Sequence, residues 1–317
     1  HWDRVETSLE GLDPIGVLCA GVDAPTVQAE VAAKFGVPGP SRHTAWLSQD
    51  KAAQLAALQV HGVQIPRWVV PQSREDPVQH MYEFSGRGGF VVVKPVDSRG
   101  ARGVFRLCPG AVPRSWSLDF YLRAREHSSS GRVLIQEWVE GVQLSTESVV
   151  VDGKVGFTAI AHRNYARLRQ FAPHVIEDGS DTPWIPVYDG SGVFPEVKVR
   201  EALQACAEAL ELRNGTLKGD LVYDGGVTVI EVAARLSGGG FCSEIIPLAY
   251  GFDIVQAAAR IALGMEPLQG NEVRVQQYVC QRFRFRDVTT MHPDRGPYEL
   301  GVGRTPEEAR EMCLHSL

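Results

Sequence analysis

The chain has 317 residues, 44% of them hydrophobic and 22% charged, a balance that suits a globular protein with room for two or three subdomains. Its 32 basic and 38 acidic residues leave a net charge of −6, and no Lys/Arg run forms a stripe able to follow a nucleic-acid backbone. No apolar stretch approaches the roughly 20 residues that span a bilayer, and His1-Trp2-Asp3-Arg4 carries no signal-peptide pattern, so the expectation is a cytoplasmic protein with neither nucleic acid nor membrane as partner.

Residues 15–20 read as a short buried strand and 24–35 as a helix ending at Gly36, the outline of a βα unit that begins abruptly, as if preceding units were missing. A helix from Ser48 to Val60 follows, with Ser48 or Asp50 as its cap and Lys51 in a first turn that repels cations. That lysine is either solvated or a phosphate ligand. A strand near 68–70 and a polar helix over 74–84 come next.

The run 90–95 is a strand closing on Lys94, which packing alone explains poorly. The loop from Asp97 to Gly103, with Ser98, Arg99, Gly100 and Arg102, can lie over phosphates or form an ordinary basic turn before a strand at 104–108. A helix (117–126), a strand (132–136) and two long strands (144–151 and 154–161) paired around Asp152-Gly153 are expected in turn. His162 and Arg163 then end the second long strand, either as a hairpin edge facing water or, with the 165–186 segment, as candidates to meet a substrate, where Arg163 either clamps a substrate carboxylate or makes a surface ion pair. A strand-like stretch over 171–177, helices over 197–212 and 253–263, and a tail of strands plus a helix from Thr305 complete the pattern. The six cysteines have no metal-type spacing and read as reduced, mostly buried thiols.

The most informative stretch is Lys218–Gly240. Two β-branched runs flank Gly225-Gly226, and a Gly-Gly pair suits a two-residue turn with φ > 0 at both central positions. Such a turn pairs Asp224 with Val227, Tyr223 with Thr228, Val222 with Val229, Asp220 with Glu231 and Lys218 with Ala233. Carboxylates opposed at roughly 4.5–5.5 Å repel unless a cation lies between them. A Mg²⁺ ion suits that place, with Arg235 and a glycine loop further along the same strand for a polyphosphate and an oxyanion. Two solvated acids on a surface hairpin are the alternative.

The ordered set Lys51, Val93-Lys94-Pro95, Asp97 to Gly103, Gln136 to Gln143, Asp220 and Glu231 to Gly240 resembles the ATP-grasp superfamily, and the form Glu231-Val-Ala-Ala-Arg235-x-x-Gly-Gly looks like its carboxylate–amine ligases, which include the L-amino acid ligases. The resemblance implies an α/β fold of the α+β ATP-grasp kind, with ATP sandwiched between two antiparallel-sheet subdomains after a partial Rossmann-like βα domain. The corresponding divisions are 1–45, a small lobe 46–140, a large lobe 141–265 and an extension 266–317.

By the same resemblance, Lys51 and Lys94 hold the α- and β-phosphates while Ser98, Arg99, Gly100, Arg102 and Gly103 cover the γ-phosphate. Glu137, Trp138 and Val139 meet adenine, and Gln143 meets ribose. Asp220 and Glu231 carry Mg²⁺ or Mn²⁺, with Lys218 nearby, and Arg235, Ser237, Gly238 and Gly239 face an acyl phosphate. His162 and Arg163 are candidate substrate contacts. The implied partners are small-molecule carboxylates and amines, with a homodimer as candidate assembly.

Two positions depart from the family pattern: Ala233 stands where a metal-ligating Asn is common, and Gln143 where an acid is common. The function implied is ATP-dependent ligation through an acyl phosphate. A biotin carboxylase-like or nucleotide-pathway enzyme and a non-catalytic nucleotide-binding protein are the alternatives.

Overall fold

The computed structural model describes residues 5, 7–72, 75–86, 88–186, 194–267, 275–285 and 295–315. Helix α1 (Pro25–Phe35) stops at Gly36, whose left-handed φ of 64° ends it as expected. The segment before it departs from the expectation. Residues 15–20 form no strand, only Cys19 among them is buried, and one parallel bridge joins Ala20 to Leu236. A short helix that the sequence reading passed over, α2 (Arg42–Leu47), is capped by Ser41 and ends at Ser48. Ser48 therefore closes one helix, and Asp50 caps the next, α3 (Lys51–Val60), by accepting from the amides of Ala52 and Ala53.

The first sheet contains β1 (Trp68–Val69), β2 (Val91–Pro95), β3 (Phe105–Leu107) and β4 (Val133–Glu137) in the antiparallel order β1-β4-β2-β3. Alternation along β2 decides what each side chain does. Val91 and Val93 join Ile135, Met81 and Ala124 in a core shared with helices α4 (Pro77–Ser85) and α5 (Arg114–Glu126), while Val92 and Lys94 line the cleft on the other face.

The second sheet has seven antiparallel strands. β5 (Val142–Val151), β6 (Lys154–Asn164), β7 (Gly179–Thr182), β8 (Gly215–Tyr223), β9 (Val227–Ala233), β10 (Tyr278–Phe285) and β11 (Arg295–Gly303) lie in the order β11-β10-β7-β6-β5-β8-β9. Helix α6 (Pro195–Ala209) packs Val199, Leu203 and Cys206 against Leu144, Leu217 and Val229 on one face. A π-helical turn (Phe241–Ile245), α7 (Ile246–Tyr250) and α8 (Ile254–Ala262) cover Val149, Ala159 and Ala161 on the other. Helix α9 (Pro306–His315) packs on β10 and β11. Among the described residues, no single helix is long and apolar enough to cross a membrane.

The strand expected over 171–177 is not one. Phe171 is buried in a turn, His174 makes an isolated bridge to Phe105, and the paired strand is β7. That pairing places β6 inside the sheet, between β7 and β5, so His162 and Arg163 do not lie on a water-facing edge.

The hairpin β8–β9 corrects the expected turn and keeps its consequence. Tyr223 pairs with Val227, Val222 with Thr228 and Leu221 with Val229, so the connection has three residues, and of its glycines only Gly225 takes positive φ. A bulge at Ile230 then restores the register, and Asp220 faces Glu231 while Lys218 faces Ala233 as predicted.

Candidate active site

Two lysines from different elements meet at the cleft. Lys94 is carried inward by the alternation of β2 and is only 5% exposed. Burial pushes its ammonium down to about 8, although Glu231 works in the opposite direction. Lys51 occupies the first position of α3, where the helix end disfavours it, because its ammonium has other work: it donates to the carbonyl of Ser98 at 2.8 Å and pairs with Glu231 at 3.7 Å.

Asp97 anchors the loop that follows β2. It accepts hydrogen bonds from the hydroxyls of Ser128 and Ser129 and from the Ser130 amide. Against the upward push of burial, these bonds, Ser129 foremost, hold its carboxyl down at about 2. Ser98, Arg99, Gly100 and Arg102 thereby line the cleft. Gly103 does not. It turns with φ 72° behind the loop, where a Cβ would lie 2.8 Å from that of His127, so its need for glycine comes from packing.

On the facing hairpin, Asp220 lies 3.1 Å from Arg163 and also pairs closely with Lys218. Burial alone would raise the Asp220 carboxyl, but Arg163 and then Lys218 hold it far below the usual carboxylate range. Glu231 is likewise held low against burial by Lys51, Lys94 and Lys218. Arg163 is buried between Asp220 and Glu177, the latter at 2.7 Å, so it is neither a surface ion pair nor a free clamp. Its role in this structure is to hold one of the two candidate metal carboxylates. Among the described residues no group of three or more His, Cys, Asp or Glu side chains is arranged to hold a metal ion.

Beyond β9, Arg235 points its guanidinium at Asp23, with Nε and Nη2 each 3.2 Å from a carboxylate oxygen. The glycine loop is fixed from beneath. The Ser237 amide donates to Glu147 at 3.0 Å, Gln281 donates to the Gly239 carbonyl at 2.7 Å, and Gly238 approaches Gly21 closely enough that its Cβ would lie 3.4 Å from that residue's carbonyl oxygen. Glu147 is 0% exposed, and burial pushes its carboxyl up to about 7 despite the bond from Ser237.

Glu177 was covered only as part of the candidate segment 165–186, and Asp23, Glu147 and Gln281 were missed from the sequence. Glu147 left a trace there, as a lone acid in the strand 144–151; the others are brought in by topology alone.

Everything converges on one cavity of about 840 Å³ between the two sheets. It brings together Lys51, Lys94, Ser98, Arg99, Gly100, Arg102, Glu137, Trp138, Val139, Gln143, Arg163, Lys218, Asp220, Glu231, Arg235, Ser237, Gly238 and Gly239. At the connection between the sheets, the Glu137 side chain pairs with Arg67 at 3.0 Å, and Gln143 donates weakly to the Val139 carbonyl at 3.4 Å. Among the described residues the buried amide nitrogen of Gln136 finds no hydrogen-bond partner at this end. Of the candidate residues only Gly103 and His162 lie outside, and His162 lines a separate cavity behind the sheet.

Residues 48–239, more than half of the chain, match the family model described as an ATP-grasp domain. The chain belongs to the ATP-grasp family. A curated relative, an uncharacterised protein y4rH of Sinorhizobium fredii, is 24% identical over 261 residues, covering 80% of this chain and 50% of its own; the chain thus spans about half the length of that relative.

Among solved structures, an L-amino acid ligase from Bacillus licheniformis superposes with a TM-score of 0.75 at 18% identity, over 99% of this chain and 82% of the other. A phosphoribosylamine–glycine ligase from Thermotoga maritima gives 0.69 at 18%, over 98% and 84%. A biotin carboxylase from Campylobacter jejuni, described as a β-γ-ATP complex, gives 0.70 at 15%, over 92% and 64%. These likenesses are to the ATP-grasp fold.

Proposed function

We propose that this ATP-grasp protein is an ATP-dependent carboxylate–amine ligase, which activates a small carboxylic or amino acid as an acyl phosphate and passes the acyl group to an amine, with ADP and phosphate as products. The observation that carries this reading is the order of groups along one cleft: two lysines, a facing carboxylate pair, then Arg235 and a braced glycine loop. Phosphoryl transfer asks chiefly for alignment and charge neutralisation, which such an order provides. The likeness to an L-amino acid ligase across nearly the whole chain points the same way.

A polyphosphate fits the donor set, because cations outnumber the acids at its centre and Lys94 is buried with, among the described residues, no carboxylate in ion-pair contact. Lys51 and Lys94 are the residues to receive it, with the loop 98–102 above. Asp220 and Glu231 are the residues to hold Mg²⁺, which when bound neutralises charge developing on the transferred phosphoryl group. To do so they must release the lysines and arginine that now balance them, and the phosphates are the natural new partners for Lys51. In this reading Arg235 and the amides of residues 238–240 receive the acyl phosphate and its tetrahedral oxyanion, while the Ser237 amide stays on Glu147. Ala233 offers no side-chain oxygen where a second metal ligand is common, and Lys218 across from it supplies positive charge instead.

The test is ADP release against a panel of L-amino acids with amine acceptors, with mass spectrometry of the amide product. Release that requires both an acid and an amine, and that fails in Arg235→Ala, is expected. ATP binding without acceptor-dependent release would favour a nucleotide-binding protein that has lost turnover, and release driven by bicarbonate would favour the carboxylase-like alternative.

A further inference from the structure

The far face of the seven-stranded sheet carries two helices, α6 and α9. Helix α6 closes a core that reaches Trp184 and Leu144, and helix α9 packs Ala309 and Cys313 on Cys280. Between them, over β6, β7 and β10, lies a second cavity of about 320 Å³. Strand alternation makes it back-to-back with the cleft: His162, Asp181 and Cys280 line this cavity, while their neighbours Arg163, Ser180 and Gln281 line the other.

The walls are amphipathic. Trp184, Val142 and Tyr278 provide apolar surface, and one polar cluster stands at the sheet. There Asp181 accepts from Arg310 at 3.1 Å and forms an ion pair with Arg282 at 3.0 Å, so two guanidinium groups surround one carboxylate and leave that trio with net positive charge. Arg310 is 47% exposed and keeps donors beyond those it spends on Asp181. His162 stands across the strand pair from Asp181, and burial lowers its imidazole, with Asp181 opposing, so the ring is chiefly neutral and carries one N–H donor at neutral pH. Glu307 stands at the rim and disfavours a second negative charge on any occupant.

We propose that this cavity is a second ligand site, distinct from the nucleotide cleft, which takes a small monocarboxylate with an apolar or aromatic body. Its carboxylate sits on Arg310 and His162, and its body rests against Trp184 and Tyr278. This inference stands independently of the ligase reading, since it draws on no residue of the cleft.

The probe is 4-fluorophenylacetate, followed by fluorine NMR on the whole protein with and without saturating MgATP. Saturable binding with Kd at or below about 1 mM, unaffected by MgATP, is expected. Arg310→Ala and His162→Phe, each checked for native folding by circular dichroism, should weaken it about tenfold or more, and the uncharged 4-fluorophenylacetamide should bind correspondingly worse. The proposal is overturned if wild-type protein shows no saturable binding in that range, if MgATP displaces the probe, or if both folded variants bind it as wild type does.

Discussion

Replacing Arg163 with Met separates two roles that its position in the chain leaves open. The guanidinium, 20% exposed, lies between Glu177 and Asp220, which are 15% and 18% exposed. Methionine keeps much of the volume and leaves two carboxylates together with one cation fewer. Removing one member of a buried ion pair costs about 3–5 kcal/mol, and the residual exposure here argues for the lower end, about 3 kcal/mol. In a chain of this size that lowers Tm by about 6 °C.

The loss has a definite pH signature. Asp220 is held below its ordinary value of 3.8, so its contribution to stability is complete above that value and disappears as the pH falls through the lower folded value. Without Arg163 the burial that opposes ionisation gains weight, and Asp220 takes up its proton at a higher pH. The difference between wild type and Arg163→Met should therefore be full at about pH 7 and narrow by about pH 4.5. Urea unfolding at the two pH values measures it. A variant as stable as wild type but with a raised KM for the acid substrate would refute this reasoning and restore Arg163 as a substrate clamp.

Lys94 has its ammonium depressed to about 8, so the folded state binds fewer protons than the unfolded chain between that pH and 10.5, and stability rises with pH across that window while ATP affinity falls. Titration calorimetry at stepped pH should find that fall in wild type and its absence in Lys94→Met. Glu147, raised to about 7, makes stability decline as the pH rises from 4.5 toward 7, because the folded state holds its proton longer. Glu147→Gln should keep the bond from Ser237 and flatten that slope, whereas Glu147→Ala should cost about 1–3 kcal/mol by stranding the amide, both read by denaturant unfolding. Gln54 joins helix α3 to β9, donating to the carbonyls of Leu47 and Val232 and accepting from the Val232 amide. Gln54→Leu should destabilise by about 2 kcal/mol or more by orphaning that strand, and an unchanged unfolding midpoint would contradict it.

Much of the cleft was legible in the sequence because its chemistry contradicts packing. A lysine closing a valine strand, a lysine in a helix's first turn and an acid opposite an acid are each costly locally, and that cost marks them. The pairing of Asp220 with Glu231 was read correctly through a turn read incorrectly. A three-residue connection shifts the strands by one residue and the bulge at Ile230 shifts them back, and nothing in the run Val227-Thr228-Val229-Ile230 announces where a bulge falls.

By itself the sequence determined most of the helices and long strands, the lysines, the carboxylate pair and the glycine loop, since periodicity and residue chemistry are local properties; the two-sheet layout was read only through the family resemblance, and the short elements at 42–47 and 179–182 were not read at all. Tertiary structure alone decided which groups balance those charges. Asp23 reaches Arg235 and Glu177 reaches Arg163 across stretches of chain that only the sheet order brings together, and Glu147 becomes a brace once β5 lies beside β8. The same sheet order, by carrying β6 inside and alternating its side chains, sent Arg163 to the nucleotide cleft and His162 to the cavity behind it.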